Sequence, residues 1–358
     1  MIVRSSLTMD HLDRMTDSTG LIQHAIYSVP RRESGYTTDD NARALRLCAR
    51  LWDQLPDDRM LGRVSCYLSF LENARHPVRG FHNFLSYQRG WLDAGGTGDC
   101  QGQTVLALAE VVGSRLSEGY RALARELLES VLEPLAELRS LRAQAYVIQA
   151  WAHLRRAGVE DFAPLEGVAR LAADRLMECY QRSQRPDWLW FESRMTYANA
   201  VLPHALFDAA ECWPDESYQD VAESSFGFLD LATTADGVFW PVGNCDWYSH
   251  GEEKSLYDQQ PVEAATMAAA ALAALELNGD EKYLAVFQRA HHWFHGHNSL
   301  GLSLADIQVG ACCDALQPAC VNKNQGAEST LAYLWTELLN AAALNWQKNQ
   351  SSKLMVGS

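Results

Sequence analysis

The 358-residue chain has no apolar run long enough to span a bilayer, no CxxC pair, no basic stripe and no Pro/Gly-rich hinge. The longest apolar stretch, residues 264–277 (AATMAAAALAALEL), is interrupted by Thr266 and Glu276. It is shorter than the roughly 20 residues a membrane helix needs. The N-terminal MIVRSSLTMDHL contains no apolar h-region, so a secretory signal is not expected and the protein reads as cytoplasmic. Nine cysteines, an odd number without framework spacing, read as reduced thiols. Lys and Arg number 30 against 45 Asp and Glu, a formal charge of −15. A chain so acidic repels phosphate, which excludes nucleic acid and anionic membrane surfaces as partners. No DDxxD array is present to hold a metal-bound diphosphate, so terpene-type chemistry is disfavoured. Strand signals are few and short.

What is present is a soluble-type core, 47% hydrophobic and 21% charged, arranged in repeated helical segments. Six segments rich in small and apolar residues fall at 40–52, 99–112, 141–154, 196–211, 261–277 and 327–343. The fifth is apolar on every face and must be surrounded by protein. Amphipathic segments alternate with them at 61–75, 120–138, 165–182, 215–231 and 281–294. A sixth partner is expected near 8–15 or at the C-terminus. Buried helices alternating with half-exposed ones predict an all-α fold, an (α/α)6 toroid of one domain over residues 1–346. Residues 347–358 are expected to form a disordered tail.

Polar and aromatic residues collect just ahead of the inner segments. Tyr36 and the run Asp39-Asp40-Asn41-Ala42-Arg43 mark the first, and Asp99 follows three glycines at the second. Asp187, Trp188, Trp190 and Glu192, followed by Tyr197 and Asn199, precede the fourth. Trp240, Trp247, Tyr257, Asp258 and Glu263 surround the start of the fifth; Asn324, Gln325 and Glu328 surround that of the sixth. Only the third start, Ser140-Leu141-Arg142-Ala143-Gln144, is plain. In a toroid the inner helices run the same way, so these tips share one rim. Acids, amides and flat rings on such a rim suit a sugar. Amides and carboxylates bond its hydroxyls, while indole or phenol packs on its C–H face.

Each residue also has an ordinary structural role to weigh. Asp39 or Asp40 would serve as an N-cap, but a helix needs only one. Glu263, just after Pro261, would offset the helix dipole, and Glu328 reads similarly. Asp187 and Asp246 suit turns. Cys312-Cys313 with Cys320 reads as buried small residues rather than a metal cluster. His291-His292-x-x-His295-x-His297 lies in or after an outer helix, away from this rim, lacks a matching carboxylate and reads as surface. No metal and no cofactor are therefore expected.

With these motifs assembled, the chain resembles a bacterial family of six-hairpin, (α/α)6-barrel proteins. Its members occur alone or fused behind glycosyltransferase domains, often beside mannoside-processing genes. The resemblance rests on LDRMTDSTGLIQHAIYSVPRRESGYTTDDNARAL, WLWFESRMTYANAVLPHAL, YDQQPVEA and NKNQGAESTLAYL, which together reach from residue 12 to 334. It implies the fold and offers a glycosyltransferase as a partner, without fixing a reaction. More distantly the chain is similar to six-hairpin glycoside hydrolases, including endo-mannanases that use an adjacent Asp-Asp pair. That likeness makes Asp39 and Asp40 the first residues to test. The chain departs from the pattern at the second inner helix, where an acidic-Asp-Ser-x-Gly-Arg run is expected and Gly98-Asp99-Cys100-Gln101-Gly102-Gln103 stands.

The leading expectation is a glycoside hydrolase acting on a mannose- or glucose-type oligosaccharide by paired carboxylates. The acid and its partner are drawn from Asp39, Asp40, Asp99, Glu192, Asp258, Glu263 and Glu328, with Asp40 and Glu263 on opposing helices as the first pair. Tyr36, Trp190, Trp240, Trp247 and Tyr257 are the stacking candidates; Asn41, Arg43, Asn199, Asn324 and Gln325 are the hydroxyl ligands. Two alternatives stand beside it. One is a non-catalytic carbohydrate-binding accessory of a glycosyltransferase system. The other is a sugar epimerase or isomerase, for which His24, His82, His204 and His250 form no convincing pair.

Overall fold

Small side chains let backbones approach, and the alanine-rich segments use this to build a ring. A computed structural model describes residues 7–159, 161–214 and 216–356. Thirteen α-helices lie among the described residues: α1 (Asp10–Met15), α2 (Thr38–Gln54), α3 (Asp58–Ala74), α4 (Gly98–Val112), α5 (Glu118–Glu129), α6 (Leu132–Ala136), α7 (Leu141–Arg156), α8 (Ala163–Ser183), α9 (Val201–Cys212), α10 (Glu216–Ala232), α11 (Pro261–Asn278), α12 (Glu281–Phe294) and α13 (Ala327–Val356). The helices α2, α4, α7, α9, α11 and α13 pack each on the next, and α13 returns to α2. Outside them, α3, α5, α8, α10 and α12 back α2, α4, α7, α9 and α11 in turn, while the short α1 lies against α13. This is an (α/α)6 toroid of one domain. Among the described residues, seven two-residue antiparallel ladders lie in the loops.

Local sequence explains the boundaries. The helix α11 starts on Gln260-Pro261 and stops at Gly279, whose φ of 69° is the left-handed cap that glycine adopts without strain. The expected segment 120–138 is interrupted between α5 and α6. Pro134 has no N–H to continue the ladder back toward Ser130. The fourth inner helix begins at Val201, later than the expected 196, because Ala198 takes a φ of 44° and turns the chain instead. The helix α13 runs on to Val356, across most of the stretch expected to be tail. Asp215, where the fourth outer segment was expected to begin, and residues 357–358 lie outside the described residues. Among the described residues no helix is long and apolar enough to cross a membrane.

The tightest inner contact joins α4 to α7. A Cβ on Gly102 would stand 2.9 Å from the Ala143 Cα and 3.0 Å from its carbonyl oxygen, both backbone atoms that cannot swing aside. Gly102→Ala is therefore expected to lower unfolding stability by about 1–3 kcal/mol despite alanine's better helix propensity. Urea denaturation followed by circular dichroism measures this, and an unchanged or raised midpoint would contradict the packing described.

Candidate active site

The acids at the α2 tip share its capping with a distant loop: Asp39 Oδ1 accepts from Asp40 N–H at 3.1 Å. The Thr37 side chain makes no capping bond to α2. Asn83, from the loop joining two ladder strands, accepts from the backbone N–H of Thr38 at 3.1 Å and of Asp39 at 3.3 Å. At the start of α13, Asp314 accepts from Gly326 N–H at 2.7 Å and from the Ser329 hydroxyl. Distant loops thus satisfy both helix ends. Asp40, Glu328 and the second oxygen of Asp39 are left to meet one guanidinium.

That guanidinium belongs to Arg43. It lies 2.9 Å from Asp40 Oδ1, 3.7 Å from Asp39 and 3.1 Å from Glu328 Oε2. Asp40 is buried and also accepts from the Thr37 hydroxyl at 2.8 Å. Burial, and then the Asp39 charge beside it, push the Asp40 carboxyl up to about 7 against the pull of Arg43. One cation shared by three carboxylates leaves excess negative charge, and a proton on Asp40 relieves it. The tip can therefore hold a protonated acid next to charged ones.

A second polar group forms where α4, α7 and the turn 196–200 meet. Asp99 accepts from the Ser140 hydroxyl at 3.0 Å and from the Tyr197 hydroxyl. Tyr197 is partly exposed, and the Arg142 guanidinium lies 4.6 Å from its ring centroid. Arg142 also donates to Glu192 at 3.1 Å and to the Thr196 hydroxyl at 2.7 Å. Sequence reasoning passed over Arg142 because its helix start looks plain. Its partners lie some 50–57 positions further on, outside any local motif.

Glu263 is placed differently from the expectation. Both its oxygens accept: from Ala198 N–H, from Asn199 N–H at 3.4 Å and from Asn199 Nδ2 at 3.0 Å. Burial pushes its carboxyl up to about 7, while these three donors favour the charged form. Its work is to hold the turn that presents Tyr197. Nor does it oppose Asp40, since α13 lies between α2 and α11 in the ring.

All six inner helices contribute to a narrow well of about 70 Å³. Arg43, Glu328, Gln103, Tyr146, Thr266 and Val201 are among its walls. The Gln103 Oε1 is buried without a hydrogen-bond partner. Arg46, Gln149, His204 and Trp335 stand at a level common to this well and a chamber of about 250 Å³ toward the C-terminal ends of the helices. The Arg46 guanidinium sits 4.1 Å from the Trp335 ring centroid. Below, buried Glu110 takes Arg46 and Arg50; although burial raises its carboxyl, the two guanidiniums hold it down to about 2.

Several expected ligands lie elsewhere. Trp190 is 0% exposed and packs edge-on against Phe191, so it offers no face to a sugar. Tyr36 is buried, stacked on Tyr87, with its hydroxyl on Asp17. Asn41 is buried and ties α2 to Leu21 and Thr37 through its amide. The Asn199 amide is spent on Thr196 and Glu263. Asn324 accepts from Tyr27 N–H, and the Gln325 backbone engages Tyr27 and His11. Apart from Gln325, whose side-chain Oε1 is buried without a hydrogen-bond partner, these positions are apolar or hydrogen-bonded scaffolding, a distinction that residue type alone does not carry. The rings of Trp247 and Tyr197 lie 6.3 Å apart and those of Trp240 and Tyr257 6.4 Å apart, all four at least partly exposed. Asp258, half-buried beside Tyr257, takes a long 3.5 Å bond from Gln317.

Among the described histidines, His204 borders the well. Burial lowers its pKa, and Asp208 stands 3.7 Å away. His24 and His250 are exposed, and His82 stacks on Trp91. The expectation that His291 and His295 lack a matching carboxylate is corrected: Glu337, one helix on, accepts from both.

With this geometry in hand, comparison with known proteins gives the fold its company. No family model matches the chain, and no curated protein matches it by sequence. Solved structures do. A sugar epimerase from a ruminal bacterium superposes with a TM-score of 0.70 at 12% identity, over 92% of this chain and 94% of that one. A D-mannose isomerase gives 0.70 at 14%, over 94% and 96%. A GH76 α-mannanase from Bacteroides thetaiotaomicron gives 0.66 at 12%, over 95% and 94%. At such identities the likeness shows the fold, the six-hairpin toroid common to these carbohydrate-active enzymes.

The buried acid has a signature in stability. Folded, Asp40 keeps its proton to about pH 7; unfolded, it loses it near 3.8, as an ordinary aspartate does. The folded state holds the extra proton between these values, so this group makes stability fall as pH rises through that window. Asp40→Asn is expected to flatten the fall, with its Tm gaining on the wild type from pH 4 to pH 8. Thermal unfolding across that range checks it. Parallel curves would mean that Asp40 is not held protonated.

Proposed function

We propose that the protein is a glycoside hydrolase acting on a mannose- or glucose-type oligosaccharide at the mouth of the well. The observation that carries this reading is the Asp39–Asp40 tip, with Asp40 protonatable near neutrality and Asp39 and Glu328 across Arg43. Glycosidic cleavage needs one carboxyl group to protonate the leaving oxygen and another to activate water or attack the anomeric carbon. In this reading Asp40 is the acid, and Asp39 or Glu328 is its partner. Arg43, Gln103 and Tyr146 bond hydroxyls, and Tyr197 and Trp247 supply ring faces above them. Asp99, oriented by Tyr197 and Ser140, is the further carboxylate within the same rim.

A screen of manno- and gluco-oligosaccharides with reducing-end detection tests this. Asp40→Asn is expected to lose roughly 10²–10⁴-fold in turnover while still binding glycan in calorimetry. Undiminished turnover would remove Asp40 from the chemistry.

His204 gives the epimerase reading its own support, since it borders the well near Tyr146 and Arg43. That reaction leaves the number of reducing ends unchanged and yields an epimer visible by NMR. It would be abolished by His204→Ala, whereas the hydrolase reading expects that variant to keep bond cleavage. Binding without any product over a day would instead favour a carbohydrate-binding accessory, with a glycosyltransferase as its partner.

A further inference from the structure

Away from the well, the last turn of α12 with its C-cap residue His295, and the third turn of α13, bring together two imidazoles and a carboxylate. His291 and His295 are four residues apart and so lie on one helix face. The His291 Nε2 stands 2.9 Å and the His295 Nε2 2.8 Å from the same oxygen, Glu337 Oε1. The potential ligand atoms of the three residues all lie within 4.8 Å of one another. His291 is buried and the other two are half-buried, so the cluster is backed by protein and open on one side.

We propose that His291, His295 and Glu337 form a binding site for a divalent transition ion of the zinc type. Two imidazoles at i and i+4 with one carboxylate are a donor set suited to such ions, and the open side leaves the fourth position to water. Bond lengths of about 2.0–2.2 Å to a tetrahedral ion place its donors roughly 3.3 Å apart. The observed separations of 2.9 and 2.8 Å from Glu337 need to widen by only about half an ångström, within the reach of a side-chain rotation. None of the three residues borders the well or the chamber below it. The ion is therefore a clamp. It joins the outer helix α12 to α13, the inner helix that also closes the ring and carries Glu328. This assignment stands independently of the proposed reaction.

The competing account is that the two histidines simply anchor Glu337 by hydrogen bonds. The exposed His292 and His297, whose rings lie 5.2 Å apart, are the nearest alternative imidazoles. Chelator-treated full-length protein titrated with ZnCl₂ in a calorimeter separates these. One equivalent is expected to bind with micromolar or tighter affinity, and Tm is expected to rise by about 3 °C at a hundredfold excess over Kd. His291→Ala and Glu337→Gln should each weaken binding at least tenfold, while a His292→Ala/His297→Ala double variant stays within threefold of wild type. Co²⁺ added to the wild type should give the visible d–d absorption of a tetrahedral site, a readout that needs no variant to fold. Absence of zinc binding, absence of that absorption, full affinity in Glu337→Gln, or loss of affinity confined to the double variant would each overturn the assignment.

Discussion

One guanidinium organises the first and last inner helices. Arg43 reaches Asp39 and Asp40 on its own helix and Glu328 on the helix that closes the ring. Asp40 is buried among more negative groups than the one cation can balance, and its burial, with the charge of Asp39 beside it, leaves it able to hold a proton near neutrality. The arrangement depends on caps supplied from elsewhere. Asp39 gives one oxygen to the Asp40 N–H and turns the other toward Arg43. Asn83 takes the first N–H groups of α2 and Asp314 those at the start of α13, so the loops between helices help decide which tip carboxylates are available for chemistry.

The rim has two acidic centres, and they differ in character. Around Arg43 the carboxylates outnumber the cation. Around Arg142 the guanidinium meets Glu192, a threonine hydroxyl and the face of Tyr197, while Tyr197 and Ser140 hold Asp99. Glu263, although buried with a raised carboxyl, is saturated with donors and works as a fixture for the turn at Ala198. Burial and a high pKa do not alone mark a catalytic acid. What its oxygens already bind decides it.

Much of the ring was legible in the sequence. Segments of alanine and leucine with polar tips mark inner helices, and amphipathic segments mark their outer partners, so the toroid follows from the spacing of the two kinds. The tip residues were half legible. Asp39, Asp40, Arg43 and Glu328 meet as their shared rim requires, but Trp190 and Tyr36 face the core, because an aromatic ring before a helix start has no periodic pattern to say which way it turns. Arg142, Gln103 and Glu337 were missed for a related reason. Each acquires its meaning from residues in another hairpin, and a carboxylate that completes a pair of histidines from 46 positions away leaves no local trace.

The closure of the ring by α13 against α2 bears on how the molecule comes into being. On a ribosome the acid-bearing tip of α2 emerges before its third carboxylate and the wall that seals its flank, both of which belong to α13. Until that helix docks, Arg43 has only its two neighbours on α2, and the well lacks one of its six sides. Any chain cut short before residue 327 would thus carry every acid of its first hairpin and still have no finished pocket to put them in.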